Sequence, residues 1–350
     1  MDPFGRWPLV GRPGDRTLVH MTAPRIPLNL FGIGFGLAGL GEAWTTLAAA
    51  GAAPAVVGEL VLLLAAVAWL VVLLAYLRYA VAHRAVLRAD LLDPVAAPFA
   101  SLAVITPMLL AGLGLHPHAP TAGRVLTDVF LVLTVLLGGW FTGQWIYAPV
   151  DLDRFHPGYF LPTVAGGLVA SASAALVGQP RLAEVMFGLG VVCWLVLGSI
   201  ILGRLLFRPL LPAPLLPTLA IEVAPAAVAS NAWFELRGED VDLVAAFLAG
   251  YGLLMVLAQL RLLPAYLRLP FLPSTWAFTF SWAAVATAGL VWIGAADVPG
   301  ARAWQYVVIA AITLLIGGIA VRTVVALGRR QLLPAPPVAA APAVPEPVSR

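Results

Sequence analysis

The sequence has little charge and no lysine. Asp, Glu and Arg make up 11% of its 350 residues, whereas about 25% of a soluble protein is charged. Hydrophobic residues make up 61%, and the mean hydropathy is +0.95. A soluble domain of this size needs a charged surface. The composition therefore excludes a soluble enzyme, a secreted disulfide-rich domain and a disordered chain, and it predicts a protein surrounded by lipid.

Cysteine and enzyme motifs are also scarce. The single cysteine, Cys193, cannot form an intrachain disulfide. The chain has no His-x-x-x-His pair, no Gly-x-Ser-x-Gly turn, no phosphate-binding loop and no acidic cluster that would hold Mg²⁺. The arginines follow a membrane-side pattern and do not form a nucleic-acid patch. We therefore expect no enzymatic activity, no metal, no cofactor and no nucleic-acid partner.

Ten apolar segments are long enough to span a bilayer, which needs roughly 20 residues. They define a membrane domain over residues 27–326, between a cytoplasmic segment at 1–26 and a disordered Ala/Pro-rich tail at 327–350. The predicted spans are about 27–50, 56–80, 95–115, 123–147, 158–178, 182–205, 212–234, 241–265, 274–294 and 302–326.

Arginine positions predict the orientation of these spans. With ten spans both termini lie on one side, and that side carries 16 of the 20 arginines. The other side carries Arg124, Arg181, Arg237 and Arg302. By the positive-inside rule both termini are cytoplasmic. We expect a multi-pass protein of the cell (inner) membrane.

Odd-numbered and even-numbered spans differ in composition. The odd spans carry Gly, Pro, Ser and Thr, whereas the even spans are mostly Leu, Val and Ala. Small residues let helices approach closely, and Gly or Pro bends a helix where its neighbours satisfy the freed backbone groups. The pattern predicts an all-α membrane protein of five helical hairpins, with odd helices forming an inner ring around a central pore and even helices an outer ring.

Five motifs along the chain are similar to those of a known family. In order they are Phe31-Gly32-Ile33 with Ala43-Trp44, His156-Pro157-Gly158-Tyr159-Phe160-Leu161-Pro162, Ala224-Pro225-Ala226, Gly250-Tyr251-Gly252, and Trp276-Ala277-Phe278-Thr279-Phe280. The chain resembles the tellurite-resistance/dicarboxylate transporter family, which includes the bacterial TehA proteins and the slow-type anion channels of plants.

This resemblance implies five hairpins around a narrow pore, a homotrimer, and a phenylalanine of the ninth helix that closes the pore. By motif match that residue is Phe280, with Gly32 near the constriction. Family members often have Pro where this chain has Gly34. The residues expected to line the pore are Gly32, Gly36, Pro107, Pro162, Gly166, Pro225 and Thr279.

Three functions stay open at this point. The first is a channel for small monovalent anions such as chloride or nitrate. The second is a proton-coupled carrier of small carboxylates (C4-dicarboxylate or malate type), with Glu222 as the proton-coupling residue, because an ionised carboxylate inside a membrane is costly. The third is a polytopic membrane protein of unrelated role, in which the hairpin pattern reflects packing alone.

Overall fold

The computed structural model describes residues 25–333 except 149, 239, 297 and 298, and all regular secondary structure in this part of the chain is helical. Nearly all of the predicted N-terminal segment and most of the predicted tail lie outside the described residues.

Each of the ten predicted spans is a helical segment whose ends fall within a few residues of the prediction. We number the segments α1 to α10; four of them join helical stretches of different winding. The bounds are α1 Gly32–Ala49, α2 Ala55–Ala82, α3 Ala97–Leu115, α4 Pro120–Tyr147, α5 Pro157–Leu176, α6 Pro180–Phe207, α7 Ala213–Arg237, α8 Leu243–Tyr266, α9 Pro273–Ala295 and α10 Ala301–Gly328.

Nine of these segments, α2 to α10, are long and apolar enough to cross a membrane. The segment α1 has 18 residues, but five glycines and Glu42 make it less apolar. The part of the chain that the structure describes is thus an all-helical membrane protein with nine candidate spans.

The odd segments are the irregular ones. A short 3₁₀ helix precedes α1, and another opens each of α3, α5, α7 and α9; these are Leu28–Phe31, Ala97–Ser101, Pro157–Phe160, Ala213–Val223 and Pro273–Trp276. In four of them proline occupies the first or second position, where its missing N–H costs no hydrogen bond. The segments α3 and α5 also contain a π-helical turn. The even segments are uninterrupted α-helices of 24 to 28 residues.

Burial follows the same alternation. Within the most apolar part of each segment, 50–83% of residues are buried in α3, α5, α7 and α9, against 22–28% in the even segments. Most residues of α1 are buried as well. Among the described residues, most of the exposed Leu and Val side chains lie on the even helices, which suits contact with lipid tails.

Contacts between segments follow two rules. Each odd segment packs against the even segment that follows it in the chain. The odd segments also contact one another in the order α1, α3, α5, α7, α9 and back to α1. The odd segments therefore form a closed ring of contacts, and the candidate site lies within this ring.

Candidate functional site

Two cavities lie along the centre of the molecule, and each of the odd segments lines both. The first cavity lies near the beginnings of these segments and is lined by residues that include Phe35, Phe99, Val164, Val228 and Phe280. The second cavity lies near their ends and is lined by residues that include Glu42, Leu113, Leu176, Asn231 and Thr287. For each cavity, the five residues named come from α1, α3, α5, α7 and α9 in that order.

The first cavity is small and apolar. Its volume is about 50 Å³, which is room for roughly three to five water molecules. Aromatic and aliphatic side chains form most of its wall, with the polar side chains of Asn29, Ser274 and Ser281 among them. The second cavity is larger, about 300 Å³, and has more polar groups.

Two stacked phenylalanine rings form part of the wall of the first cavity. The rings of Phe35 and Phe280 lie almost parallel, at 14°, with their centroids 3.6 Å apart. Both side chains are buried, with 4% and 7% of their surface exposed. Phe35 is the last residue of α1 that lines the first cavity. Beyond it, Gly39 lies against the Phe280 ring, since a Cβ there would be 2.9 Å from its Cδ2 atom.

Gly32 lines the first cavity, together with Pro225 and Phe280. Its nearest neighbour is Trp276, because a Cβ on Gly32 would be 3.2 Å from the Trp276 Cβ. The glycine that makes room for the Phe280 ring is Gly39.

Other residues expected to line the pore pack between helices. Gly36 faces Thr279, whose hydroxyl oxygen would overlap a Cβ on Gly36 and whose hydroxyl donates to the Trp276 carbonyl. In α5, Gly166 faces Thr134 of α4, and the carbonyl of Pro162 faces Gly138 of α4.

Pro107 lies on the other side of α3, in a groove that α3 shares with α2 and α4. It therefore lines neither of the two central cavities. The structure brings Gly32, Pro225 and Phe280 together and separates the other predicted lining residues from them.

Glu222 is buried beside the first cavity but is not one of the residues that line it. Its neighbours Ile221 and Ala224 do line that cavity. The Glu222 carboxylate interacts electrostatically with Tyr251 and Tyr266 of α8. Its Oε1 atom has no hydrogen-bond partner among the described residues. Glu222 therefore lies on the side of α7 that faces α8.

Glu42, unlike Glu222, lines a central cavity. It faces the second cavity together with Asn231 and Glu235 of α7. The Asn231 side-chain amide donates to Glu42 Oε1 at 3.4 Å and to the Ala284 carbonyl at 3.3 Å. The carboxylates of Glu42 and Glu235 interact electrostatically. The second cavity is thus the one that carries acidic side chains.

Positive charge is missing from both cavities. Within residues 25–333, as far as they are described, no arginine or histidine side chain lines either one. Anything that moves through this centre meets aromatic rings, hydroxyl and amide groups, and the two carboxylates of the second cavity.

The sequence analysis missed Phe35 as part of the site. A signal for it was present, because Phe35 follows Gly32 by three residues and precedes Gly39 by four. Residues at these spacings share one face of a helix. Once Gly32 was expected at the constriction, the same face of α1 also carried Phe35.

Known proteins are similar to this chain over most of its length. A family model described as SLAC1, voltage-dependent anion channel, matches residues 25–324. The chain is also 29% identical over 273 residues to the "Tellurite resistance protein TehA homolog" of Haemophilus influenzae, which covers 77% of this chain and 82% of that protein. The family match includes all ten segments and both cavities, apart from the last residues of α10.

Proposed function

The chain belongs to the voltage-dependent anion channel family, and from this premise we propose that it passes small monovalent anions, such as chloride and nitrate, through a central pore. The pore runs through the first and second cavities along the axis of the five odd segments. It is closed in the present conformation by Phe280, with Phe35 stacked on it. The protein moves ions and catalyses no reaction.

One observation carries this proposal. The same five odd segments line two cavities in succession, and the two stacked rings belong to the wall of the first. Two unrelated voids would not share one set of five helices in the same order. The arrangement supports five hairpins, with α1 as the tenth span, the odd helices inside and the even helices towards lipid.

The wall of the pore supports selection by dehydration. Because no arginine among the described residues lines either cavity, these residues offer no full positive charge to replace the water that an anion loses. Hydroxyls and the backbone dipoles at bent helices are the remaining attractive groups. Weakly hydrated monovalent anions should therefore pass more readily than small, strongly hydrated ones.

A proton-coupled carrier of small carboxylates is the second candidate. It is favoured by the buried Glu222 carboxylate, whose Oε1 atom has no partner among the described residues. Uptake that requires a pH gradient and is lost in Glu222→Gln would favour this carrier. The position of Glu222 behind the wall of the first cavity favours the channel.

We also propose the assembly and topology that the resemblance and the arginines predict. The protein is a homotrimer in the cell (inner) membrane, with both termini cytoplasmic. The segments before residue 27 and after residue 326 are cytoplasmic extensions of one membrane domain.

The test is anion current across a planar bilayer that contains the full chain or its Phe280→Ala variant. We expect a nearly silent parent and a large chloride or nitrate current in the variant. Phe278→Ala is the matched control, because Phe278 lies on α9 two residues away and contacts Tyr266. Equal silence in folded parent and Phe280→Ala protein would refute the gated pore, and equal currents in Phe278→Ala and Phe280→Ala would refute the assignment of the gate.

A further inference from the structure

A groove on the lipid-facing side of the molecule is larger than either central cavity. It has a volume of about 690 Å³ and lies between α2, α3 and α4. We call it the α2–α4 groove. Exposed leucines such as Leu63 and Leu70 form its sides. Three small residues, Ala66, Ala111 and Gly114, also line it and leave its volume open.

The length of the α2–α4 groove fits one half of a bilayer. Along α2 it runs from Glu59 to Leu70, which is about 16 Å at 1.5 Å per residue. The hydrocarbon core of a bilayer is about 30 Å thick, so one leaflet contributes about 15 Å. Glu59 lies four residues after the start of α2, near the membrane surface, and Leu70 lies close to the bilayer centre.

The two ends of the groove differ in chemistry. At the surface end, Glu59 Oε1 lies 3.7 Å from His118 Nε2, and both side chains are about half exposed. At the deep end, Trp69 and Phe130 meet edge to face with ring centroids 6.3 Å apart. The Trp69 indole N–H donates to the Ala103 carbonyl at 3.1 Å, which fixes this ring against α3.

We propose that the α2–α4 groove binds one acyl chain of a phospholipid whose ammonium head group lies at Glu59. The chain follows the groove to Trp69 and Phe130, and the ammonium group donates hydrogen bonds to the Glu59 carboxylate. An unfilled groove of this size would leave its side chains without contacts on one side. The carboxylate at the surface end selects a head group that carries a positive charge, such as ethanolamine.

The test uses the full chain in nanodiscs of phosphatidylethanolamine and phosphatidylglycerol. One lipid carries a photoreactive diazirine at the end of its acyl chain, and mass spectrometry locates the label after illumination. We expect label at the deep end of the groove, on Trp69, Leu70 and Phe130, at least fivefold above the exposed faces of α6 and α8. Equal labelling of all lipid-facing helices would overturn the proposal.

Three variants test the site itself. Ala66→Trp fills the groove, and so does Gly114→Leu, whose Cβ would meet only Leu62, at 3.6 Å. In either folded variant, label at the deep end should fall at least fivefold. Gly139→Trp on α4 is the matched control, because nothing lies within 4 Å of a Cβ there. Unchanged label in a folded groove-filling variant would overturn the proposal.

Glu59→Gln tests the head group. We expect it to reduce the preference for diazirine-labelled ethanolamine lipid over glycerol lipid at least threefold, with the label still at the deep end. An unchanged preference would overturn the ammonium assignment. If the deep end carries cross-links between two copies of the chain in place of lipid label, a second copy occupies the groove. That result would overturn the proposal.

Discussion

Phe35 of α1 and Phe280 of α9 form a stacked pair of rings, which is the plug of the proposed pore. Because the rings are nearly parallel at 3.6 Å, neither can turn across the axis without the other moving. The space that Gly39 leaves beside the Phe280 ring lets this ring lie flat against α1. The contact therefore couples the conformation of one side chain to the other.

Removing the Phe35 ring should weaken the closure of the proposed pore, while the Phe280 ring stays in place. We predict that Phe35→Leu raises the basal anion current above that of the parent but leaves it well below Phe280→Ala, because Phe280 still lies across the axis. Phe31→Leu is the control, since Phe31 is equally buried but contacts Tyr76 outside the cavity. Currents of Phe35→Leu and Phe31→Leu that rise alike would contradict a specific role for Phe35.

Glu42 should oppose anion passage once the plug is open. It lines the second cavity with Glu235, and no positive side chain of the described residues lines that cavity. A unit charge 4 Å from an anion costs about 1 kcal/mol even in water. We predict that Glu42→Gln in the Phe280→Ala background raises chloride conductance severalfold at alkaline pH, where the Glu42 carboxylate is ionised.

The control for this prediction is Glu59→Gln in the same background. Glu59 has the same charge but lies in the α2–α4 groove and not in the central cavities. Planar-bilayer conductance of the two double variants should therefore differ. If both conduct like Phe280→Ala, the second cavity does not lie on the anion path.

At the scale of helices, α1 packs closely on α9 where the Phe280 ring lies against Gly39. A Cβ on Gly39 would be 2.9 Å from both the Ala283 Cβ and the Phe280 ring, so any larger side chain forces these helices apart. We predict that Gly39→Ala lowers the free energy of unfolding by roughly 1–3 kcal/mol, the usual cost of overpacking. In the Phe280→Ala background the cost should be smaller, because one of the two clashes is gone.

This prediction is a double-mutant cycle, with thermal or denaturant unfolding in detergent as the measurement. Gly139→Ala is the control, since a Cβ at that position meets nothing within 4 Å. Additive effects of Gly39→Ala and Phe280→Ala would contradict direct contact between Gly39 and the ring.

The beginnings of α3 and α5 are joined by a neutral histidine. The Gly158 N–H donates to His156 Nδ1 at 3.1 Å, so Nε2 carries the proton and donates to the Val95 carbonyl at 3.2 Å. Burial lowers the pKa of His156 to about 4, against an ordinary value of about 6.5. A second proton on the ring would meet the Gly158 N–H instead of an acceptor.

The sign of the pH effect follows from these two values. Above pH 6.5 His156 is neutral in both states and costs nothing. Between pH 6.5 and about 4 the unfolded chain takes up a proton that the folded chain refuses, so stability falls as pH falls. We predict a loss of roughly 3 kcal/mol across this window. The unfolding midpoint of His156→Gln should fall less steeply there, and parallel curves for parent and variant would contradict the assignment.

The positions of the helices along the chain were predicted more accurately than the side of each helix that faces the centre. Gly and Pro mark the odd segments because a bent, tightly packed helix needs them wherever they point. Gly32 and Pro225 face the first cavity, whereas Gly166 contacts an outer helix and Pro107 lies in the α2–α4 groove. A small residue serves a pore wall and a helix contact equally well, so composition alone cannot separate the two. Phe280 was identified from a family motif. Its contact with Phe35 depends on how α9 is oriented about its own axis.

At the scale of the whole molecule, the arginines and the two cavities together predict a direction for the proposed pore. In the proposed topology the odd segments begin on the cytoplasmic side, so the first cavity would open towards the cytoplasm and the second cavity, with its acidic side chains, towards the outside. An anion leaving the cell would then meet the two rings before the carboxylates of Glu42 and Glu235. Orientation therefore decides which barrier an anion meets first.

The single cysteine makes this orientation measurable. In a Cys193→Ser background, Arg181→Cys places a thiol on the predicted outer side, where the Arg181 side chain is 91% exposed. Arg154→Cys places one at an exposed position on the predicted cytoplasmic side. Both variants lose one arginine, so their charge is matched. We predict that a membrane-impermeant maleimide labels Arg181→Cys in intact cells and labels Arg154→Cys only after permeabilisation. The reverse pattern would show that the molecule is inserted in the opposite orientation. Outgoing anions would then meet the carboxylates of the second cavity before the rings.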